Sequence, residues 1–226
     1  MSLRSVNVAV ELWDPVTLLP VFEGLKVSLT GRDDKPIVNR SGRFVWIGRE
    51  DEWPAAPSVD AGLQPFQSFV DRDLVAFRPA GWPAVKPQER LIRVALAPRS
   101  TYSFPDGINV IRGTLLDAST PIAGAQIWME WWDLGISDWR AADVTQRAIT
   151  DDRGQFASFT RIPPGTTVEP DVVNGALKAR LTVIRGGETR HTADDFPFLE
   201  DPASAGRIPD SEMLSNWLTL DWAALE

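Results

Sequence analysis

The chain has 226 residues, 43% of them apolar and 24% charged, with a formal net charge of −8 and no cysteine. That length allows one large or two small domains around a proper core. The acidic balance argues against nucleic acid and anionic membrane surfaces as partners, since both recruit basic patches, and the missing thiols exclude disulfides, thiol nucleophiles and thiolate metal sites.

From the start of the chain, Val6, Val8, Val10 and Leu12 alternate with Asn7, Ala9, Glu11 and Trp13, the pattern of a half-buried strand. Asp14-Pro15 ends it. Leu25, Val27 and Leu29 alternate with Lys26, Ser28 and Thr30 as a second strand, and Arg43 to Ile47 forms a third after the turn Asn39-Arg40-Ser41-Gly42. Glu50 to Gly62 reads as a long loop, Phe66 to Val70 and Leu74 to Arg78 as a strand pair, Ala80 to Gln88 as another loop, and Arg90 to Leu96 as a closing strand. Residues 1–98 thus form a first module. Residues 99–108, with Pro105 and Gly107, read as a linker. It is short and carries Tyr102 and Phe104, so a packed pair of modules is expected rather than a flexible string.

The second module spans 109–226. Val110 to Leu116 is an apolar, β-branched strand. Asp117 to Thr120 breaks it, Pro121 cannot donate to a ladder, and Gly124 precedes a strand on which Ala125, Ile127, Met129 and Trp131 share one face. A variable stretch runs from Asp133 to Arg147. Asp151-Asp152-Arg153-Gly154 is turn chemistry, with Asp bonding its own backbone and Gly accepting positive φ. Gln155 to Thr160 resumes the alternation with Phe156 inward, and Pro163-Pro164-Gly165 stops it. Ala176 to Ile184 and Glu188 to Thr192 read as a hairpin about Gly186-Gly187. Phe196 to Pro209 reads as a loop. The tail is expected to form a short helical turn from Asp210-Ser211-Glu212, then a strand with Leu218, Leu220 and Trp222 in alternation.

The opening Gly113-x-Leu115, the group Pro121-x-x-Gly124-Ala125 and the turn Thr150-Asp151-Asp152-x-Gly154-x-Phe156 together resemble the carboxypeptidase regulatory-like, or transthyretin-like, β-sandwich family. The resemblance covers about the second half of the chain. It implies an antiparallel sandwich in which these residues shape turns and core and are not catalytic. The long Asp133–Arg147 segment and the tail from Phe196 depart from the family pattern. The first half echoes the second: Gly24, Leu25, Val27 and Leu29 match Gly124, Ala125, Ile127 and Met129, each 100 positions on, while Gly42 and Phe44 match Gly154 and Phe156, each 112 on. The expected fold is therefore all-β, two tandem transthyretin-like or immunoglobulin-like sandwiches with long loops in the first.

Candidate chemistry is sparse. The single histidine, His191, lies in a predicted strand, a poor place for a mobile base. Intradiol dioxygenases share a similar sandwich but bind iron through two His and two Tyr, whereas this chain has one of each, His191 and Tyr102. Asp151-Asp152, and Asp194-Asp195 with Glu200 and Asp201, match no calcium-loop spacing and read as turn and solvated carboxylates. No Gly-rich phosphate loop occurs. No catalytic residue, cofactor or metal is expected.

The ten tryptophans are the unusual feature. Parity places Trp46 and Trp131 in the core, but Trp128 and Trp132 on the face opposite Ile127 and Met129, with Trp139 nearby; the matching position of the first module is Ser28. Exposed aromatic area needs a cover or a use. The cover would be the first module or the tail with Trp217 and Trp222; the use, an interaction face of Trp128, Trp132 and Trp139. The expected function is a non-catalytic structural or protein-interaction module, an accessory or adaptor in a larger assembly of phage-tail-like or cell-surface kind, with a protein partner or self-association. The alternative is a carbohydrate-binding module, with a glycan stacked on the indoles. No apolar run approaches the ~20 residues of a spanning helix, and Met1-Ser2-Leu3-Arg4 offers no apolar leader. A cytoplasmic protein without membrane insertion is expected, or part of a particle assembled there, with export still open.

Overall fold

Alternation in sequence becomes alternation in burial: along Lys26–Leu29 the side chains run exposed, buried, exposed, buried. The computed structural model describes residues 5–30, 32–48, 57–69, 90–141, 143, 146–162, 168–198, 205–209 and 217–226. Among them no α-helix forms and the regular structure is β. The chain divides into two units, Met1–Leu96 and Ala97–Glu226.

The first unit has strands β1 (Ser5–Trp13), β2 (Lys26–Leu29), β3 (Ile37–Val38), β4 (Phe44–Gly48), β5 (Pro57–Asp60) and β6 (Leu91–Ala95). One sheet runs β3-β4-β1-β6 and a second is β2-β5. Inward residues Val8, Val10, Leu12, Val27, Leu29, Phe44, Trp46, Val59, Ile92 and Val94 are buried. The stretch expected as a loop, Glu50 to Gly62, contains β5, because Val59 buries its side chain while pairing with Val27. Of the expected strand pair, Phe69 forms a two-hydrogen-bond bridge with Val59 at 2.8 and 2.9 Å. Its second strand, the loop Ala80–Gln88, the stop Pro163–Gly165 and the helical start Asp210–Glu212 lie outside the described residues.

The second unit holds β7 (Asn109–Asp117), β8 (Thr120–Pro121), β9 (Gln126–Asp133), β10 (Asp138–Ala141), β11 (Ala148–Ile149), β12 (Gln155–Thr160), β13 (Val172–Val173), β14 (Ala176–Arg185), β15 (Glu188–His191), β16 (Arg207–Pro209) and β17 (Leu218–Asp221), then a 3-10 turn, Trp222–Ala224. One sheet is β12-β7-β17 with β8 on β7. The other is β10-β9-β14-β13, with β11 on β9 and both β15 and β16 on β14. Their facing sides make one core: Ile111, Leu115, Phe156 and Leu220 from the first; Ile127, Met129, Ala179, Leu181 and Val183 from the second. This is a β-sandwich. Strand β10 falls inside the stretch expected to be variable, and β16 inside the expected Phe196–Pro209 loop. The 99–108 stretch belongs to the second unit. Its Tyr102 and Phe104 rings lie 4.7 Å apart, Phe104 is 5.5 Å from Phe159, and the Arg112 guanidinium donates to the carbonyls of Ser100 and Tyr102.

The two units pair their strands alike. In the first, Val10 faces Phe44 across an antiparallel pair and Ile92 across a parallel one. In the second, Gly113 faces Phe156 antiparallel and Leu218 parallel. On the other sheets Val27 faces Val59, and Ile127 faces Val183.

Two glycines of the second unit are fixed by crowding. A Cβ on Gly113 would lie 2.4 Å from the Leu218 carbonyl oxygen. Gly154 closes the 151–154 turn, where the Asp151 side chain accepts from the Arg153 and Gln155 amides at 2.9 and 2.8 Å. Gly154 has φ +71°, and its Cβ would meet the Leu115 carbonyl oxygen at 2.5 Å. Gly124 has nearly the same φ, +73°, but a Cβ there would meet nothing within 4 Å beyond its chain neighbours. Urea unfolding should therefore show Gly154→Ala losing clearly more than Gly124→Ala, whose cost is backbone strain alone, on the order of 1–3 kcal/mol. Equal losses would mean that the Leu115 contact carries no weight. Phe156→Ala should cost about 3–5 kcal/mol in the same assay.

Candidate functional site

Strand β9 divides its side chains between two environments. Ile127, Met129 and Trp131 are buried on the inner side. Trp128, Glu130 and Trp132 leave on the outer side, where the ladder sets Trp128 opposite Thr182, Glu130 opposite Arg180, and Trp132 opposite Trp139. Strand β15 brings His191 opposite Thr182. Lys178, two residues before Arg180 on β14, has the same parity.

These groups interlock. The Arg147 guanidinium stands 4.4 Å from the centre of the Trp128 ring, and its Nη1 donates to Gln126 Oε1 at 3.1 Å. The Trp128 indole N–H donates to Glu130 Oε1 at 3.3 Å. Arg180 places Nε and Nη2 each 2.7 Å from Glu130 Oε2. Lys178 Nζ lies 4.4 Å from the Trp132 ring and 5.7 Å from the Trp139 ring, while Arg180 covers Trp139 at 4.6 Å. The two indoles meet nearly edge to face, 5.3 Å apart at 81°, a geometry favoured by the ring quadrupole. Thr182 Oγ1 and His191 Nδ1 are 2.8 Å apart, and His191 Nδ1 is 4.0 Å from Glu130 Oε2. Each cation–π contact contributes on the order of 0.5–2 kcal/mol, so a face that would otherwise expose bare indole is stabilised by its own basic side chains.

The sequence places Trp128, Trp132 and Trp139 on one surface, and the ladder brings all three there. Their exposure differs. Trp128 is 7% exposed, whereas Trp132 and Trp139 are half-buried. The cover over Trp128 is Arg147 of the same unit. Of the tail residues considered as a cover, Trp222 joins the core cluster, with Arg190 4.6 Å from its ring. Trp217 donates to Thr114 Oγ1 at 2.8 Å, on the other sheet. Sequence reasoning missed the covering cations. Lys178 and Arg180 were readable from the parity of β14; Arg147, just before β11, carried no periodic signal.

The turn between β9 and β10 is fixed by Asp133. Its buried carboxylate accepts from the Gly135 and Glu169 amides at 2.9 and 3.1 Å and pairs with Arg140. The Arg140 hydrogen bond, aided by those amides and opposed in part by burial, holds the carboxyl below its ordinary value of 3.8. On this turn Leu134 and Ile136 are 48% and 53% exposed, beside the strand ends that carry Trp132 and Trp139.

The acidic groups noted in the sequence do not converge. Asp151 is spent in its turn, and Asp194 lies 3.8 Å from Arg180; Glu200 and Asp201 lie outside the described residues. Among the described residues no cluster of three or more His, Cys, Asp or Glu side chains is arranged to hold a metal ion, and no helix is long and apolar enough to cross a membrane. Comparison with protein-family models, curated proteins and solved structures gives no match.

Because the Asp133 pKa is lowered by folding, its contribution is fully present above the unfolded value near 3.8 and fades as pH falls through the depressed folded value. Asp133→Asn should lower Tm at neutral pH. The gap to the parent, followed by circular dichroism, should narrow below about pH 4; a gap unchanged at pH 2–3 would contradict the ionic role.

Proposed function

We propose that this chain is a non-catalytic interaction module, an accessory or adaptor part of a larger assembly, and that the Trp132–Trp139 corner is where it makes contact. The carrying observation is the juxtaposition just described. Two half-buried indoles, held at a fixed angle, sit beside a turn whose Leu134 and Ile136 side chains face solvent. Rigid, partly buried aromatics flanked by apolar side chains are the usual anchors of protein interfaces, and Trp and Arg are enriched among the residues that dominate binding. Asp133 supports the reading by locking the turn, so little ordering entropy is left to lose on binding.

The two units are read here as copies of one module of the carboxypeptidase regulatory-like kind. Supporting this are the shared antiparallel and parallel neighbours of β1 and β7 and the turn glycines Gly42 and Gly154, both at positive φ. A glycan platform fits the same face less well. Stacking needs an open, flat ring, whereas Trp128 is buried, and Lys178 and Arg180 already lie over Trp132 and Trp139.

Trp139→Ala and Trp132→Ala should each weaken self-association or partner binding by about 2 kcal/mol, roughly thirtyfold. Size exclusion with light scattering on the pure chain, and quantitative pull-down from the native host, read this directly. A parent protein that stays monomeric and captures nothing, or a complex indifferent to both substitutions, would overturn the proposal.

A further inference from the structure

The charges on this face do not cancel. Among the described residues its outer side carries the cations Arg147, Lys178, Arg180 and Arg207 against the carboxylates Glu130, Asp171 and Asp194; Arg180 engages Glu130 and Asp194, and Arg207, opposite Lys178 on the ladder, pairs with Asp171. Among the described residues, Arg147 and Lys178 have aromatic rings beneath them and no carboxylate partner. The Arg147 Nε is in addition buried without a hydrogen-bond acceptor. Asp133 and Asp138 do not compensate, because they share the opposite parity and face away from Trp132 and Trp139. In a chain of net charge −8, this face, with four cations against three carboxylates, is net positive by one, a local inversion of sign.

The strand spaces the residues that lie beneath these cations. Arg147 stands on Trp128 and Lys178 on Trp132, four positions further along β9. At about 3.3 Å per residue, that is about 13 Å. The middle of the strip is the neutralised Glu130–Arg180 pair. An extended peptide laid along β9 would meet both cations with carboxylates at positions i and i+4, which share a face of a strand, and would need a neutral residue at i+2.

We infer that this face binds an extended acidic segment of a partner protein, with carboxylates at i and i+4 seated on Arg147 and Lys178. The inference rests on the interaction reading above and names the chemistry of the partner. Charge complementarity speeds encounter and fixes register, and the apolar corner of Trp132, Trp139, Leu134 and Ile136 holds the flanking residues. Ordering of the cations by the indoles lowers their own entropic cost on pairing.

The test titrates the full chain, by calorimetry and tryptophan fluorescence, with a Thr-rich peptide of about a dozen residues bearing Glu at i and i+4. Control peptides carry Gln at both positions, or Glu at i and i+3. The i,i+4 peptide should bind about three- to tenfold more tightly than either control, more weakly as salt is added. Lys178→Glu and Arg147→Glu should each remove most of that preference while leaving the circular dichroism spectrum unchanged; Lys178→Glu serves if Arg147→Glu, whose Nε is buried, disturbs the sheet. Equal binding of all three peptides, or a preference that survives Lys178→Glu, overturns the inference. So does binding of polyglucuronate with no response to the peptides, which would assign the strip to an acidic polysaccharide. Should the peptides fail while Trp139→Ala still abolishes assembly, the contact surface stands and the acidic-segment reading falls; should both fail, the interaction reading falls with it.

Discussion

A strand sends successive side chains to opposite sides, and the second unit depends on how β9 uses that constraint. Every second residue, Ile127, Met129 and Trp131, is buried on the inner side, and Ile127 and Met129 join the core that holds the two sheets together. The residues between are bulky and aromatic or charged, and water alone would not suit them. They are tolerated because β14 and the residues before β11 lay three cations over them and a single carboxylate, Glu130, ties an arginine to an indole N–H. Both sides of one strand are thus structured, the inner by hydrophobic burial and the outer by cation–π contacts and one paired charge. The outer side keeps polar and ionic valence after its own contacts are made, which a hydrophobic core does not.

Much of this was legible in the residues. The strands with clean alternation and clear turn punctuation, β1, β2, β7, β9, β12, β14 and β15, lie where the pattern puts them, and so does the Asp151–Gly154 turn. Those elements write their periodicity locally. What escaped was set by distant partners. Strand β5 is four residues long with Pro57 and Val59 buried opposite β2, and β16 is three residues long and exists because β14 offers it an edge. The reading of 99–108 expected Tyr102 and Phe104 to pack but could not name Phe159 and Arg112 as the neighbours of Phe104. On the candidate face, parity gave the tryptophans their side but could not say that Arg147 would cover Trp128. Coverage is a property of three-dimensional neighbours, and single-sequence alternation carries no record of them.

The two units carry unlike surfaces on similarly paired strands. Where the first unit sets Ser28 opposite Ser58, the second sets Trp128 opposite Thr182. The serine position is exposed and polar and needs no cover. The tryptophan position needs a guanidinium. The difference lies in the outer residue and its cover, while the inner pairs, Val27 with Val59 and Ile127 with Val183, are apolar in both units.

The parallel partners of β1 and β7 have a consequence in time. During translation β7 leaves the ribosome long before β17, which must come to lie against it at Gly113, where the fit leaves no room even for a methyl group. Until the later segment arrives, one flank of the founding strand has its amides and carbonyls unmatched, and nascent chains on the same messenger offer identical flanks to one another. Strand β6 leaves β1 in the same position earlier in synthesis. A polypeptide of this topology is most open to mispairing while it is still being made.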